Sequence, residues 1–70
     1  MNELYVGLAD IFEIDVAEIG PDTSLEEYGW DSLAMVSTIA LFDELFGKEV
    51  KVGSLTACMT VADIEALAKD

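Results

Sequence analysis

The sequence predicts an all-α protein, a small antiparallel four-helix bundle of three principal helices, one short helix and a long structured loop. Three observations carry this expectation. Apolar residues recur at helical spacing in three separate stretches. Strong turn signals, Gly20-Pro21-Asp22 and Gly47, separate those stretches. Only KEVKV, residues 48–52, alternates as a strand does, and no second strand signal exists to pair with it.

The first helix is expected over residues 2–13. Leu4, Leu8, Ile11 and Phe12 gather on one face there, and Asn2 is placed to cap the start. It fades near Glu13 to Asp15. Residues 14–31 then form a connection too long to be idle in so short a chain, and its recurring Ile14, Val16, Ile19, Leu25 and Tyr28 should pack back on the core. Within it, Ser24 precedes Glu27 by three residues. That capping-box spacing predicts one helical turn, closed by Gly29. The clearest helix covers residues 32–46, where Met35, Ile39, Phe42 and Phe46 mark an inward stripe widened by Val36 and Leu45, and Gly47 ends it. KEVKV reads as an extended connector. Gly53-Ser54 opens a short helix over 54–58, and Thr60 with Asp63 caps a last one whose Val61, Ile64 and Leu67 face inward.

Residues 1–70 are expected to form a single domain with a thin core, since chains this short bury only about 60% of their unfolded surface. Hydrophobic residues make up 53%, which argues against disorder. Charge is the unusual feature: 15 acids face three lysines, with no histidine, for a net charge of −12. Eleven of the acids and none of the bases lie in residues 1–47. Such a surface repels nucleic acid and anionic membranes. Its natural partners are proteins with basic patches, reached by electrostatic steering. The single Cys58 excludes an intramolecular disulfide and reads as a core thiol. No basic leader opens the chain and no run approaches the roughly 18 apolar residues of a membrane span, so a cytoplasmic, monomeric protein is expected.

Intrinsic catalysis is not expected. Serine nucleophiles need a base, usually histidine, and the chain has none. The spacing G-x-S-x-G is absent around Ser32. Paired carboxylates abound, but a domain this small offers little cleft to hold a sugar between them. The calcium-loop pattern D-x-[DN]-x-[DN]-G is missing as well, so no metal site is expected.

One serine stands apart. In GWDSLAMV, residues 29–36, Ser32 opens the clearest helix. A serine or aspartate there commonly serves only to satisfy free backbone N–H groups. The longer stretch IGPDTSLEEYGWDSLAMV, residues 19–36, resembles the acyl carrier proteins and related phosphopantetheine-attachment domains. Their D-x-x-L loop followed by G-x-D-S-L at a helix start is met by Asp22, Leu25, Gly29, Asp31, Ser32 and Leu33, with Val36 as the apolar residue beyond. The likeness extends over nearly the whole chain.

The resemblance implies that Ser32 receives 4′-phosphopantetheine from coenzyme A, transferred by a separate magnesium-dependent phosphopantetheinyl transferase. An acyl group then rides as a thioester on the thiol of that arm. It implies that Asp31 helps bind the transferase's magnesium, and that Leu33, Val36, Asp43 and Glu44 meet partner enzymes, including acyl-loading and synthase enzymes with basic docking patches. Trp30, beside the attachment site, is expected either to be an exposed partner contact, since aromatic residues often anchor interfaces, or to pack on the loop. It further implies a cleft for the acyl chain among Met35, Ile39, Phe42, Phe46 and Ile64, residues that with Phe12, Leu25, Val36 and Leu67 are first of all core.

The match departs from fatty-acid carriers in its charge. Ala34 and Ser37 stand where acids are common, Leu45 interrupts the acidic run after Glu44, and residues 55–59 carry no acid. The acids crowd instead into the loop, at Asp15, Glu18, Asp22, Glu26 and Glu27. That distribution points to a specialised biosynthetic pathway rather than bulk fatty-acid and lipid synthesis. Peptidyl carriers usually have Gly-Gly before the serine pair, where Trp30 stands here, and D-alanyl carriers usually lack the leucine that Leu33 supplies. Both remain alternatives, as does an unmodified acidic helical module that binds other proteins and uses Ser32 as a plain cap.

Overall fold

A computed structural model describes residues 3–69 and contains four α-helices: α1 Glu3–Phe12, α2 Ser32–Phe46, α3 Val52–Thr56 and α4 Val61–Ala68. Among the described residues there is no strand, and one isolated antiparallel bridge joins Ser24 to Thr60. The all-α fold expected from the sequence is the fold observed. The proposed cap Asn2 lies outside the described residues.

In α1, the residues one turn apart, Leu4, Leu8 and Phe12, are buried together with Ala9, while Ile11 is half-buried. The helix packs on α2 closely enough that a Cβ at Gly7 would come within 2.5 Å of Leu41 Cδ1. α1 and α2 end alike. Ile14 N–H donates to Ala9 O at 2.9 Å across a left-handed Glu13 (φ 58), and Lys48 N–H donates to Phe42 O at 3.4 Å across a left-handed Gly47 (φ 59).

The long connection is built, as expected, but with two 3-10 turns rather than one. Val16–Glu18 was not anticipated. Asp15 caps it through Ala17 N–H at 3.1 Å, and Glu18 reaches back to Asp15 N–H at 3.3 Å. The expected turn falls at Leu25–Tyr28 and closes on Gly29. Ser24 makes no side-chain cap bond there, and its backbone bridges to Thr60. Ile19 and Leu25 are buried, and Ile14, Val16 and Tyr28 pack against the core.

The phase of α2 corrects the expected stripe. The buried residues are Ala34, Thr38 and Phe42, while Val36 and Phe46 are exposed rather than core. Thr38 is tolerated inside because its hydroxyl donates to Ala34 O at 2.9 Å. Leu8, Leu25, Phe42, Leu55, Val61 and Ile64 are fully buried with it. Each is worth roughly 1.5–3 kcal/mol by the removal of its side chain from water.

α3 begins at Val52, two residues earlier than Gly53-Ser54 suggested, and takes Lys51 as its cap residue. The preceding segment is extended as expected, and its Val50 is buried. α4 starts with the expected Thr60–Asp63 box: Asp63 accepts from the N–H groups of Met59 at 2.9 Å and Thr60 at 3.1 Å. Val61 and Ile64 are buried and Leu67 is half-buried. Among the described residues, no helix is long and apolar enough to cross a membrane.

Candidate functional site at the start of α2

Gly29 turns the chain into α2 with φ 77, a conformation that side chains disfavour. Asp31 N–H then donates to Gly29 O at 2.9 Å, and Asp31 itself is extended. Its Oδ1 accepts from Ala34 N–H at 2.9 Å, and its carbonyl accepts the first helical bond, from Met35 N–H at 3.0 Å. The N-cap is therefore Asp31, and Ser32 is the first helical residue.

This answers what Ser32 does locally. The capping duty that explains most serines at helix starts is performed by its neighbour. Ser32 is exposed, and among the described residues its hydroxyl has no hydrogen-bond partner. Its N–H and that of Leu33 precede the first helical bond and have no acceptor within the helix. Glu3 and Asp63 place acids in the first turns of α1 and α4, but the first turn of α2 has none. The positive end of the α2 dipole thus lies beside an open hydroxyl, an arrangement that suits a phosphate ester.

The residues expected to meet partners are divided by the structure. Leu33 is 75% and Val36 57% exposed, on the helix that begins with Ser32. Asp43 and Glu44 are exposed farther along it. Trp30 packs against the core rather than standing fully exposed. Trp30 is half-buried, its Nε1–H donates to Leu55 O at 3.0 Å, and its ring meets Phe12 edge-on at 6.1 Å.

The five residues expected to line an acyl cleft differ in exposure. Phe42 and Ile64 are wholly buried, Met35 and Ile39 are half-buried, and Phe46 is exposed with its ring against Phe42. An open cleft of about 350 Å³ takes Ile39 beside Val36 and Ala40. A separate one of about 250 Å³ takes Phe46 beside Leu4.

Two polar groups elsewhere are tuned by their surroundings. Tyr5 Oη–H donates to Glu65 Oε1 at 2.6 Å, and that bond, with some burial, pushes the phenol up to about 12. Burial raises the Cys58 thiol, Asp63 adds to the effect, and Cys58 Sγ–H donates to Ser54 O at 3.5 Å. A thiol so placed is a poor nucleophile. Sequence reasoning missed two exposed apolar residues at α3: Val52, its first residue, and Met59, three residues past its end. Their helical phase gave no warning, since neither lies in a periodic stretch. It also missed the acceptor of the Trp30 indole, which is 25 residues away in the chain.

Comparison with known proteins supplies the remaining finding. A family profile described as "Phosphopantetheine attachment site" matches residues 3–68. The chain is also similar to a protein named orsellinic acid synthase from Beauveria bassiana (strain ARSEF 2860), with 33% identity over 60 residues. The matched stretch is 86% of this chain and 3% of that protein, so the chain spans a small fraction of the relative's length. With the profile running from the first residue of α1 to the last of α4, the chain belongs to the phosphopantetheine attachment site family.

Proposed function

We propose that Ser32 Oγ is the point at which 4′-phosphopantetheine is attached, and that residues 1–70 act as one carrier domain for acyl groups in a specialised biosynthetic pathway. The family is one of phosphopantetheine carriers, not of catalytic domains, and its members work with phosphopantetheinyl transferases and synthases. The observation that carries the assignment of Ser32 is its exposed, unpartnered hydroxyl at the first position of α2, with the cap supplied by Asp31.

The residues present fit the group. Ser32 offers the oxygen that becomes the ester oxygen: it bonds to the pantetheine-bearing phosphorus of coenzyme A as the pyrophosphate P–O bond breaks, and adenosine 3′,5′-bisphosphate leaves. Its own N–H and that of Leu33 face a phosphate at the helix start, where the dipole favours negative charge. Asp31 engages Oδ1 in the cap, which leaves Oδ2 to help hold the transferase's magnesium. No base partners Ser32 among the described residues, so the proton of its hydroxyl leaves to a group on the transferase. Once attached, the arm supplies a terminal thiol on which an acyl group is held as a thioester.

The acidic surface supports partner enzymes with basic patches, steered toward a chain whose first 47 residues contain no base. Leu33 and Val36 add apolar contact next to Ser32. Similarity to a protein named orsellinic acid synthase supports a dedicated pathway over a housekeeping one.

The test is direct. The purified protein is incubated with coenzyme A, magnesium and a broad-specificity phosphopantetheinyl transferase, and then weighed. A gain of one phosphopantetheine that disappears in Ser32→Ala is expected. An unchanged mass favours the unmodified interaction module, and a gain that survives Ser32→Ala moves the site elsewhere.

A further inference from the structure

α3 is a weak element on its own terms. It has five residues, no side-chain cap at its start, no basic residue in its last turn and no left-handed residue at its end. Five residues are far below the length at which a helix holds itself together. Its last carbonyls need donors from elsewhere. One of them, Leu55 O, receives the Cys58 N–H at 3.0 Å and the Trp30 indole N–H at 3.0 Å. A side chain two residues before Ser32 therefore helps to cap a helix that lies more than twenty residues later.

Trp30 is itself fixed. Phe12, the last residue of α1, stacks on Tyr28 at 5.5 Å and meets Trp30 edge-on at 6.1 Å. Gly29 and Asp31, on either side of Trp30, are locked by the 2.9 Å bond between them. The side-chain link from α2 to α3 is slight by comparison, a 3.7 Å contact from Thr56 Oγ1 to Met35 Sδ. The indole is thus a firm side-chain tie between the segment that presents Ser32 and α3, beside the backbone bond from Leu25 N–H to Met59 O at 3.0 Å.

Exposed apolar side chains lie at both ends of that tie. Leu33 and Val36 belong to the Ser32 side, whereas Val52 (48% exposed) opens α3 and Met59 (73% exposed) follows it. Neither α3 nor the first turn of α2 bears a charge to steer an enzyme on its own.

We propose that Trp30 is a positioning residue for modification of this chain: by capping α3 from the attachment segment, its indole N–H holds α3 and Ser32 in one register, and the transferase recognises both together. This rests on the assignment of Ser32 as the attachment oxygen. Trp30 touches no reacting atom. Its contribution is to binding, so its loss raises KM and leaves kcat nearly unchanged.

The test uses Trp30→Phe, which keeps an aromatic ring against Phe12 and removes only the donor. Transfer from coenzyme A is followed for both proteins with one transferase and magnesium, and amide hydrogen exchange is measured on the unmodified chains. A several-fold rise in KM, kcat within about twofold, and faster exchange at Leu55 and Cys58 with Val61 and Ile64 unchanged are expected. A merely structural role would speed exchange throughout and leave KM alone. Unchanged KM, or α3 exchange equal to wild type, overturns the proposal while the Ser32 assignment stands. A wild-type chain that accepts no arm overturns the Ser32 assignment and this proposal with it. Trp30→Leu serves as the second variant if Trp30→Phe unfolds, with the same outcomes.

Discussion

At the start of α4, Val61 N–H donates to Thr23 O at 3.1 Å and Ala62 N–H to Pro21 O at 3.0 Å, while Asp63 folds back over Met59 and Thr60. At the start of α2, Ala34 N–H is taken by the Asp31 side chain, and the N–H groups of Ser32 and Leu33 have no acceptor in the helix. Both helices begin with an extended residue that can cap, followed by apolar side chains. One start is closed by the protein's own loop and the other is left open beside an exposed hydroxyl. The difference teaches that helix N-termini are equivalent by backbone chemistry, and that what covers them decides whether they hold the fold together or meet another molecule.

The comparison breaks most completely at Ser32. Ser32→Ala is expected to abolish incorporation of the arm, read by mass, while changing stability by no more than about 0.5 kcal/mol, because the hydroxyl has no partner to lose. The matching change at the closed start, Thr60→Ala, should do the reverse. Arm incorporation stays at the wild-type rate, and chemical denaturation shows a loss of about 1 kcal/mol as the cap fails. Asp31→Ala joins the two cases. Loss of its bond to Ala34 costs about 1 kcal/mol, and the initial rate of arm transfer falls several-fold.

A pH titration sharpens the contrast further. Backbone donation from Met59, then from Thr60, holds the Asp63 carboxyl below its usual value of 3.8. A depressed native value means a contribution present above the unfolded value and lost as pH falls through the native one. Acid unfolding should therefore begin below pH 4, and Asp63→Asn should flatten that limb. The smallest effect lies at the opposite extreme. Tyr5 is raised to about 12, so its bond to Glu65 contributes fully below about pH 10 and is lost as pH rises toward 12. Tyr5→Phe should remove that alkaline step from a thermal-unfolding profile.

Where a single residue type has one common use, the sequence is legible. Gly29 and Gly47 mark left-handed turns, Thr60 with Asp63 marks a helix start, and the G-x-D-S-L pattern marks Ser32. The inward face of α2 was not legible. SLAMVSTIALFDELF is apolar nearly all round, so periodicity alone does not choose a phase. Contact with α1 chooses it, where Gly7 admits Leu41, and the choice buries a threonine and exposes Val36 and Phe46. The Asp15–Glu18 box was legible and was overlooked, since its D-x-x-E spacing matches that of the boxes recognised elsewhere. Exposure of Ser32 was the expected condition for attachment, whereas the burial of the Trp30 indole depends on a carbonyl that no local pattern points to.

Glu13 closes α1 with the backbone shape that Gly47 adopts at the end of α2, yet it carries a β-carbon. An L-residue in that shape is strained by about 1 kcal/mol relative to glycine. The fold tolerates this because the Ile14-to-Ala9 bond, at 2.9 Å, demands it. A domain with so thin a core therefore holds a reserve of robustness at one exposed position: Glu13→Gly would relax the bend, remove one negative charge from the crowded acidic half, and toughen the molecule without touching the attachment serine.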